Sequence, residues 1–183
     1  RAEVADVANA VLDGTDVVMR AAQTAAGKFP VEVVETMARV CEEAEKSYAV
    51  TLDQEFLSRD CTRIDQSIAM AALFSAYNLG AKAIVALTES GSTALWMSRM
   101  HSGIPIYALT SQPDTVGKTA LYRAVYPISM PRITDSTEHL LQEAELTLIK
   151  HKLVQPGDIV VVTVGEPLGQ SGGTNSLKIL RIG

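Results

Sequence analysis

The sequence is short of several things that would each announce a function class. It has only two cysteines, Cys41 and Cys61. They do not fall at metal-ligand spacing, so neither a zinc site nor a disulfide framework is expected, and a reducing cytoplasm is the expected compartment. Basic residues are outnumbered: 16 Lys and Arg against 21 Asp and Glu leave a formal charge of −5. With no basic cluster, nucleic acid and an anionic membrane surface are excluded as expected partners. No apolar run approaches the roughly 18 residues a membrane-spanning helix needs. A dinucleotide-type G-x-G-x-x-G is also missing. What remains is a chain of 183 residues, 47% hydrophobic and 20% charged, in the ordinary range for a globular protein with a normal core.

What is present is organised around residues 83–93, AIVALTESGST. Ala83, Ile84, Val85, Ala86 and Leu87 form the unbroken apolar run of a strand covered on both faces. The turn Thr88-Glu89-Ser90-Gly91-Ser92-Thr93 then brings hydroxyls and free amides to a helix N-terminus, a place suited to an anion. It is not a P-loop, because Gly91 is followed by Ser92 and Thr93 and no lysine. By itself the turn is equally compatible with a polar strand–helix connection that binds only water.

Taken in order, the chain opens at Arg1 inside a helical pattern, with Val4, Val7, Ala8, Val11 and Leu12 at helix spacing and Gly14 as its stop. No N-cap precedes it, and the chain reads as a piece of a longer polypeptide. A short strand is predicted at Asp16–Met19. A helix follows from Pro30 to about Lys46, with Val34, Ala38, Cys41 and Ala44 as its apolar stripe and Cys41 as core filler. Thr62 and Asp65 have capping-box spacing for a helix that turns Ile64, Ile68, Ala71, Ala72 and Ser75 inward and stops at Gly80. A helix over 93–101 should pack Trp96 on a sheet, and His101 has no second metal ligand in register. Further strands are expected at 104–110, 126–130, 159–164 and 177–182. Pro113 opens a short helix, and Thr134, Asp135 and Ser136 offer caps for a long one that buries Leu140, Leu141, Ala144 and Leu148, with His139 and His151 facing solvent. Alternating strands and helices argue a mostly parallel open sheet with helices on both faces, and ligands at the carboxyl ends of its strands. The stretch Gly165–Thr174 is long for a hairpin loop. It reads either as a floppy connection or as a glycine-rich lid.

Residues 1–16, RAEVADVANAVLDGTD, then TAAGKFP and VETMARVCEEAEK, resemble the end of the pyruvate kinase barrel, while TESGSTAL and GGTN resemble that family's C-terminal domain. The likeness runs through the chain in the family's order. It implies residues 1–46 as the C-terminal piece of a (β/α)8 barrel, 47–62 as a connector, and 63–183 as an α/β C-terminal regulatory domain. It implies a cytoplasmic glycolytic enzyme, a homotetramer needing Mg2+ and K+, that moves the phosphoryl group of phosphoenolpyruvate to ADP. The cation-binding and phosphoryl-transfer residues belong to barrel strands outside this sequence. The chain alone is therefore expected to be inactive, with no metal or cofactor site of its own. A stand-alone regulatory module sensing a small phosphorylated metabolite is the alternative.

The resemblance also assigns sites. Thr88, Ser90, Gly91, Ser92 and Thr93 stand where the family holds an effector phosphate, and Gly169, Ser171, Gly172 and Gly173 lie in the loop that closes on it. The partners implied are a phosphorylated sugar and further copies of the chain. Ser92 stands where a basic residue is frequent, Glu166 adds a negative charge to the closing loop, and no arginine occurs over 138–152. These features favour one phosphate over two. At the barrel end, MRAAQTAAG replaces a pattern like MLSAETAAG, so Ala21 and Gln23 occupy the family's proton-relay Ser and Glu positions. Alanine has no proton to relay and a glutamine amide does not titrate near neutrality. General acid–base help is worth on the order of 10²-fold or more. Ala21→Ser with Gln23→Glu in the full-length enzyme should therefore raise kcat by about tenfold or more in a steady-state assay, and an unchanged kcat would remove these two positions from proton delivery.

Overall fold

The computed structural model describes residues 2–46, 60–100, 102–132 and 136–183. The chain forms two compact units, Arg1–Val50 and Thr51–Gly183. Most of the expected connector, together with His101, Thr134 and Asp135, lies outside the described residues.

The smaller unit contains helices α1 (Ala2–Leu12), α2 (Ala22–Ala25) and α3 (Pro30–Lys46). Gly14, at φ 90°, donates its N–H to Val11 O at 3.1 Å and ends α1. Val7, Val11 and Ala44 are buried where α1 meets α3. No strand forms at 16–19. A strand exists only through ladder partners, and among the described residues of this unit none pairs with the segment. Of the expected stripe on α3, Ala44 is buried, but Val34 and Ala38 are exposed and Cys41 is only half-buried, while Val33, Met37 and Val40 face the cleft beside α1. A helix with apolar residues at 33, 34, 37, 38, 40, 41 and 44 carries two overlapping stripes, and periodicity cannot choose between them.

The larger unit is an α/β layer structure. Its elements run α4 (Ile64–Leu79), β1 (Ala83–Leu87), α5 (Ser92–Ser98), β2 (Ile106–Thr110), α6 (Pro113–Thr119), β3 (Val125–Ser129), α7 (Thr137–Lys150), β4 (Ile159–Gly165) and β5 (Thr174–Arg181). The sheet order is β3-β2-β1-β4-β5. All neighbours are parallel except β4 and β5, which makes the sheet mostly parallel as expected. Every residue of β1 is buried. Successive side chains alternate faces: Ile84 and Ala86 meet Ala69, Ala72, Leu73 and Ala76 of α4 and Ala94 and Met97 of α5, while Val85 and Leu87 meet Leu140, Ala144 and Leu148 of α7. The small side chains on α4 let the helix approach the sheet closely. Gly80, at φ 60°, closes α4 in the left-handed conformation, and Ala81 N–H reaches back to Ala76 O at 2.8 Å, a helix stop that glycine accepts without steric cost.

Several expectations shift in detail. Helix α4 turns Asp65, Ala69, Ala72, Leu73 and Ala76 inward and leaves Ile64 69% exposed, so the expected inward set is rotated by about one residue. Thr62 and Asp65 form no capping box; the N-cap is Arg63, with no side-chain cap bond. Helix α5 ends at Ser98, β2 begins at Ile106, and β5 begins at Thr174, which shortens the loop before it to 166–173. Ser136 does cap α7, accepting from His139 N–H at 3.0 Å, and His139 and His151 are exposed. Removing the fully buried Leu73 side chain as Leu73→Ala should cost about 2–5 kcal/mol, whereas Ile64→Ala should stay within about 0.5 kcal/mol. Urea denaturation of the two variants tests which face of α4 is inside.

Candidate effector cleft at the carboxyl ends of the sheet

Strands β1, β2 and β4 all deliver their carboxyl ends to one cleft. Its walls are Leu87 at the end of β1 with Thr88 and Glu89 after it, Thr110 at the end of β2 with Ser111 after it, Arg132 beyond β3, and Leu168, Gly169, Gln170 and Gly172 from the β4–β5 loop. The cleft encloses about 60 Å³, room for a few waters and not for a sugar phosphate.

The β1–α5 turn is fixed by its own hydrogen bonds. Gly91 N–H donates to Thr88 Oγ1 at 2.9 Å, and Ser90 Oγ donates to Ser92 Oγ at 3.3 Å. Thr115 Oγ1 donates to Glu89 O at 2.7 Å, Gln112 Nε2 to Glu89 Oε2 at 2.9 Å, and Lys118 Nζ to Ser90 O at 3.4 Å. Gly91 is required twice over. Its φ is 79°, and a Cβ there would sit 2.6 Å from Thr119 Cγ2 on α6. Thr93 is fully buried and shares a 2.6 Å hydroxyl–hydroxyl hydrogen bond with Thr174 at the start of β5. This bond ties the turn to the exit of the glycine-rich loop.

The loop itself is anchored at its ends. Asn175 accepts from Glu166 N–H at 3.0 Å and returns its Nδ2 to Glu166 O at 2.6 Å. Thr137 Oγ1 donates to Glu166 Oε1 at 3.1 Å, so this carboxylate is turned to the first turn of α7, where a negative charge is favoured, and not into the cleft. Leu168 packs against the core on the α7 side of the sheet. Residues 169–173 also carry G-x-S-x-G spacing, but that pattern makes a nucleophile elbow only on a strand–turn–helix. Here it joins two antiparallel strands with Ser171 exposed.

Of the residues expected at the site, Thr88, Gly169 and Gly172 line the cleft. Ser90, Gly91, Ser92 and Thr93 support it from the turn, and Ser171 and Gly173 belong to the loop without forming the cleft wall. Arg132 and Ser111 were not legible beforehand. Arg132 occupies the position just past a strand end where ligands of open sheets are met, but a single Pro-Arg step carries no pattern that marks it.

The start of α4 holds a buried charge. Asp65 is 2% exposed and accepts Nε–H and Nη2–H of Arg63 at 2.9 and 2.8 Å and Gln66 N–H at 3.0 Å. The Arg63 fork holds this carboxyl below its usual range, against the burial that raises it. Trp96 is packed against the α4–β1 core, the helix–sheet role expected of it. Cys61 Sγ contacts Met70 Sδ at 2.9 Å. Among the described residues no three His, Cys, Asp or Glu side chains gather as a metal site. No described helix is long and apolar enough to cross a membrane.

Residues 66–180 match the family model of the pyruvate kinase alpha/beta domain, and residues 1–34 match that of the pyruvate kinase barrel domain. The chain belongs to the pyruvate kinase family. It is 46% identical over 183 residues to the pyruvate kinase of Buchnera aphidicola subsp. Schizaphis graminum and 44% identical over 183 residues to pyruvate kinase II of Salmonella typhimurium; each match takes in 100% of this chain and 38% of the relative. The pyruvate kinase of Haemophilus influenzae is 44% identical over 166 residues, 90% of this chain and 34% of its own length. The chain thus spans well under half the length of these relatives. Within the pyruvate kinase α/β domain the cleft is a feature of the sheet, and the segment carrying Ala21 and Gln23 falls in the barrel match, with Ala21 exposed just before α2.

The Asp65 shift has a pH consequence. A carboxyl whose folded pKa is depressed contributes stability above its unfolded value, near 4, and loses that contribution as pH falls through the folded value. Acid unfolding followed by circular dichroism should therefore steepen below about pH 4, and Asp65→Asn should flatten this limb while lowering stability at pH 7.

Proposed function

We propose that the chain is the effector-binding portion of a pyruvate kinase, with 1–46 completing a catalytic barrel, 47–62 connecting, and 63–183 serving as the regulatory domain. The whole protein transfers the phosphoryl group of phosphoenolpyruvate to ADP in cytoplasmic glycolysis, using Mg2+ and K+ held by barrel residues outside this chain. The regulatory domain takes a phosphorylated sugar and contributes contacts between subunits of a homotetramer.

One observation carries the effector reading: the cleft combines Thr88, Arg132 and the loop glycines at the carboxyl ends of three strands. A phosphate there meets one guanidinium and the hydroxyls of Thr88, Thr110 and Ser111. Small hydroxyls donate without crowding, and glycines let backbone amides approach. The cleft's small volume requires the 166–173 loop to move outward before a sugar phosphate enters, after which it closes over the ligand. With Arg132 the one cationic side chain among the described residues of the lining, and Glu89 also in it, the site suits one phosphate.

Isothermal titration of the chain with ribose 5-phosphate and with fructose 1,6-bisphosphate tests this. Ribose 5-phosphate should bind, and Arg132→Ala should weaken it about ten- to hundredfold, the worth of a charged hydrogen bond. Thr88→Ala should cost less. Tighter binding of the bisphosphate would overturn the one-phosphate assignment, and binding of neither would overturn the effector reading.

A further inference from the structure

The buried hydroxyl pair at the base of the glycine-rich loop holds one hydrogen more than it uses. Thr93 Oγ1 and Thr174 Oγ1 stand 2.6 Å apart, and either can be the donor. Each hydroxyl carries one hydrogen, so the bond between them consumes one of the two. Among the described residues neither hydroxyl makes a further side-chain hydrogen bond. The two positions are not equivalent. Thr93 is fully buried and is not part of the cleft wall, whereas Thr174 is 7% exposed and belongs to that wall. If Thr174 donated, the spare O–H would be that of Thr93, in the protein interior, where an unpaired donor is costly. If Thr93 donates, the spare O–H is that of Thr174, beside the cleft. The neck of the loop keeps Thr174 in place. It pairs with Gly165 between β4 and β5, and its neighbour Asn175 is bonded to both the N–H and the O of Glu166. The neck is also tight, since a Cβ on Gly165 would sit 2.8 Å from Gly173 O. Wall residues 168, 169, 170 and 172 lie beyond it, so they can move while Thr174 stays.

We infer that Thr174 is a ligand-binding residue of this cleft and Thr93 its positioning residue: Thr93 donates to Thr174 Oγ1, and Thr174 turns its own O–H to an oxygen of a phosphate ester. A neutral donor already in place adds a hydrogen bond to the anion without a second cation beside Arg132. Thr93 then serves the phosphate through Thr174 and does not touch it, as its burial requires. The inference rests on the effector reading and deepens it by naming a contact that comes from the start of β5.

The test is isothermal titration of the 183-residue chain with ribose 5-phosphate, beside thermal unfolding of each variant. Thr93→Val and Thr174→Val each leave one buried hydroxyl without its partner and should lower the unfolding midpoint. The double variant Thr93→Val with Thr174→Val replaces both hydroxyls by groups of the same shape and should regain most of that midpoint. Its affinity should not return. Ribose 5-phosphate should bind the double variant about tenfold or more weakly than the wild type, the worth of a hydrogen bond to a charged group. Thr174→Ser keeps the donor and should bind within about threefold of the wild type. Thr93→Val should weaken binding less than Thr174→Val does, and Thr93→Ser should restore it; wild-type affinity in Thr93→Val overturns the positioning role. A double variant that regains both midpoint and affinity makes the pair purely structural and overturns the inference. So does a Thr174→Ser chain that binds as weakly as Thr174→Val. Each of these results leaves the effector reading standing. If the wild type itself binds no ribose 5-phosphate, the effector reading fails and the inference falls with it.

Discussion

Strand β1 has buried side chains on both faces and a parallel partner on each edge, and that closure decides where a ligand can go. Ile84 and Ala86 are committed to α4 and α5, Val85 and Leu87 to α7, and the edges to β2 and β4. From β1 the chain runs outward through β2 and β3, then crosses by α7 to lay β4 on the other side. Connections leaving β1 and β4 therefore diverge, and a crevice opens between them at the carboxyl ends. The turn 88–91 and the loop 166–173 border that crevice because the strand order leaves them nowhere else. Their hydroxyls and glycines acquire meaning from this position; the same residues on an edge strand would be ordinary surface.

This is also why some of the fold could be read in the sequence and some could not. The run Ala83–Leu87 announces a doubly covered strand because burial on both faces removes polar residues altogether, and its bounds come out as expected. Glycine stops such as Gly80 and proline starts such as Pro113 are equally plain, since each follows from backbone geometry local to one residue. Helix facing is a different matter. In α4 the alanines lie all round, so the stripe through Ala69, Ala72 and Ala76 competes with one through Ile68, Ala71 and Ser75, and only the sheet selects between them. The segment 16–19 has the composition of a strand without the neighbours that would make it one. Thr62 and Asp65 have the spacing of a cap, but Asp65 is captured by Arg63 in charge-assisted bonds stronger than a neutral cap.

The candidate site divides in the same way. The turn after β1 was visible because it follows directly on an unmistakable strand. Thr93 was legible as a hydroxyl at a helix start, but its partner Thr174 lies 81 residues away and only the β4–β5 pairing brings it near. Arg132 comes from beyond the far end of β3 and belongs to no motif. Long-range side chains of this kind are set by topology, which a local pattern does not encode.

Electrostatics then argue for what the cleft suits. Two unit charges about 4 Å apart interact by roughly 4 kcal/mol at the effective dielectric of a protein surface, so each phosphate calls for its own cation. Arg132 can meet one. Glu166, which in sequence looked like a charge opposing any anion, is engaged by Thr137 and the start of α7, and Glu89 is partly satisfied by Gln112. The local balance at the cleft is thus less negative than the −5 of the whole chain suggests, which supports the single phosphate ester proposed for it. A second phosphate would have to be met by hydroxyls and amides alone, beside the Glu89 carboxylate. The neutral half of a sugar monophosphate, rich in hydroxyls, suits that side better, because Glu89, Gln112 and Ser111 can exchange hydrogen bonds with it without an unpaired charge.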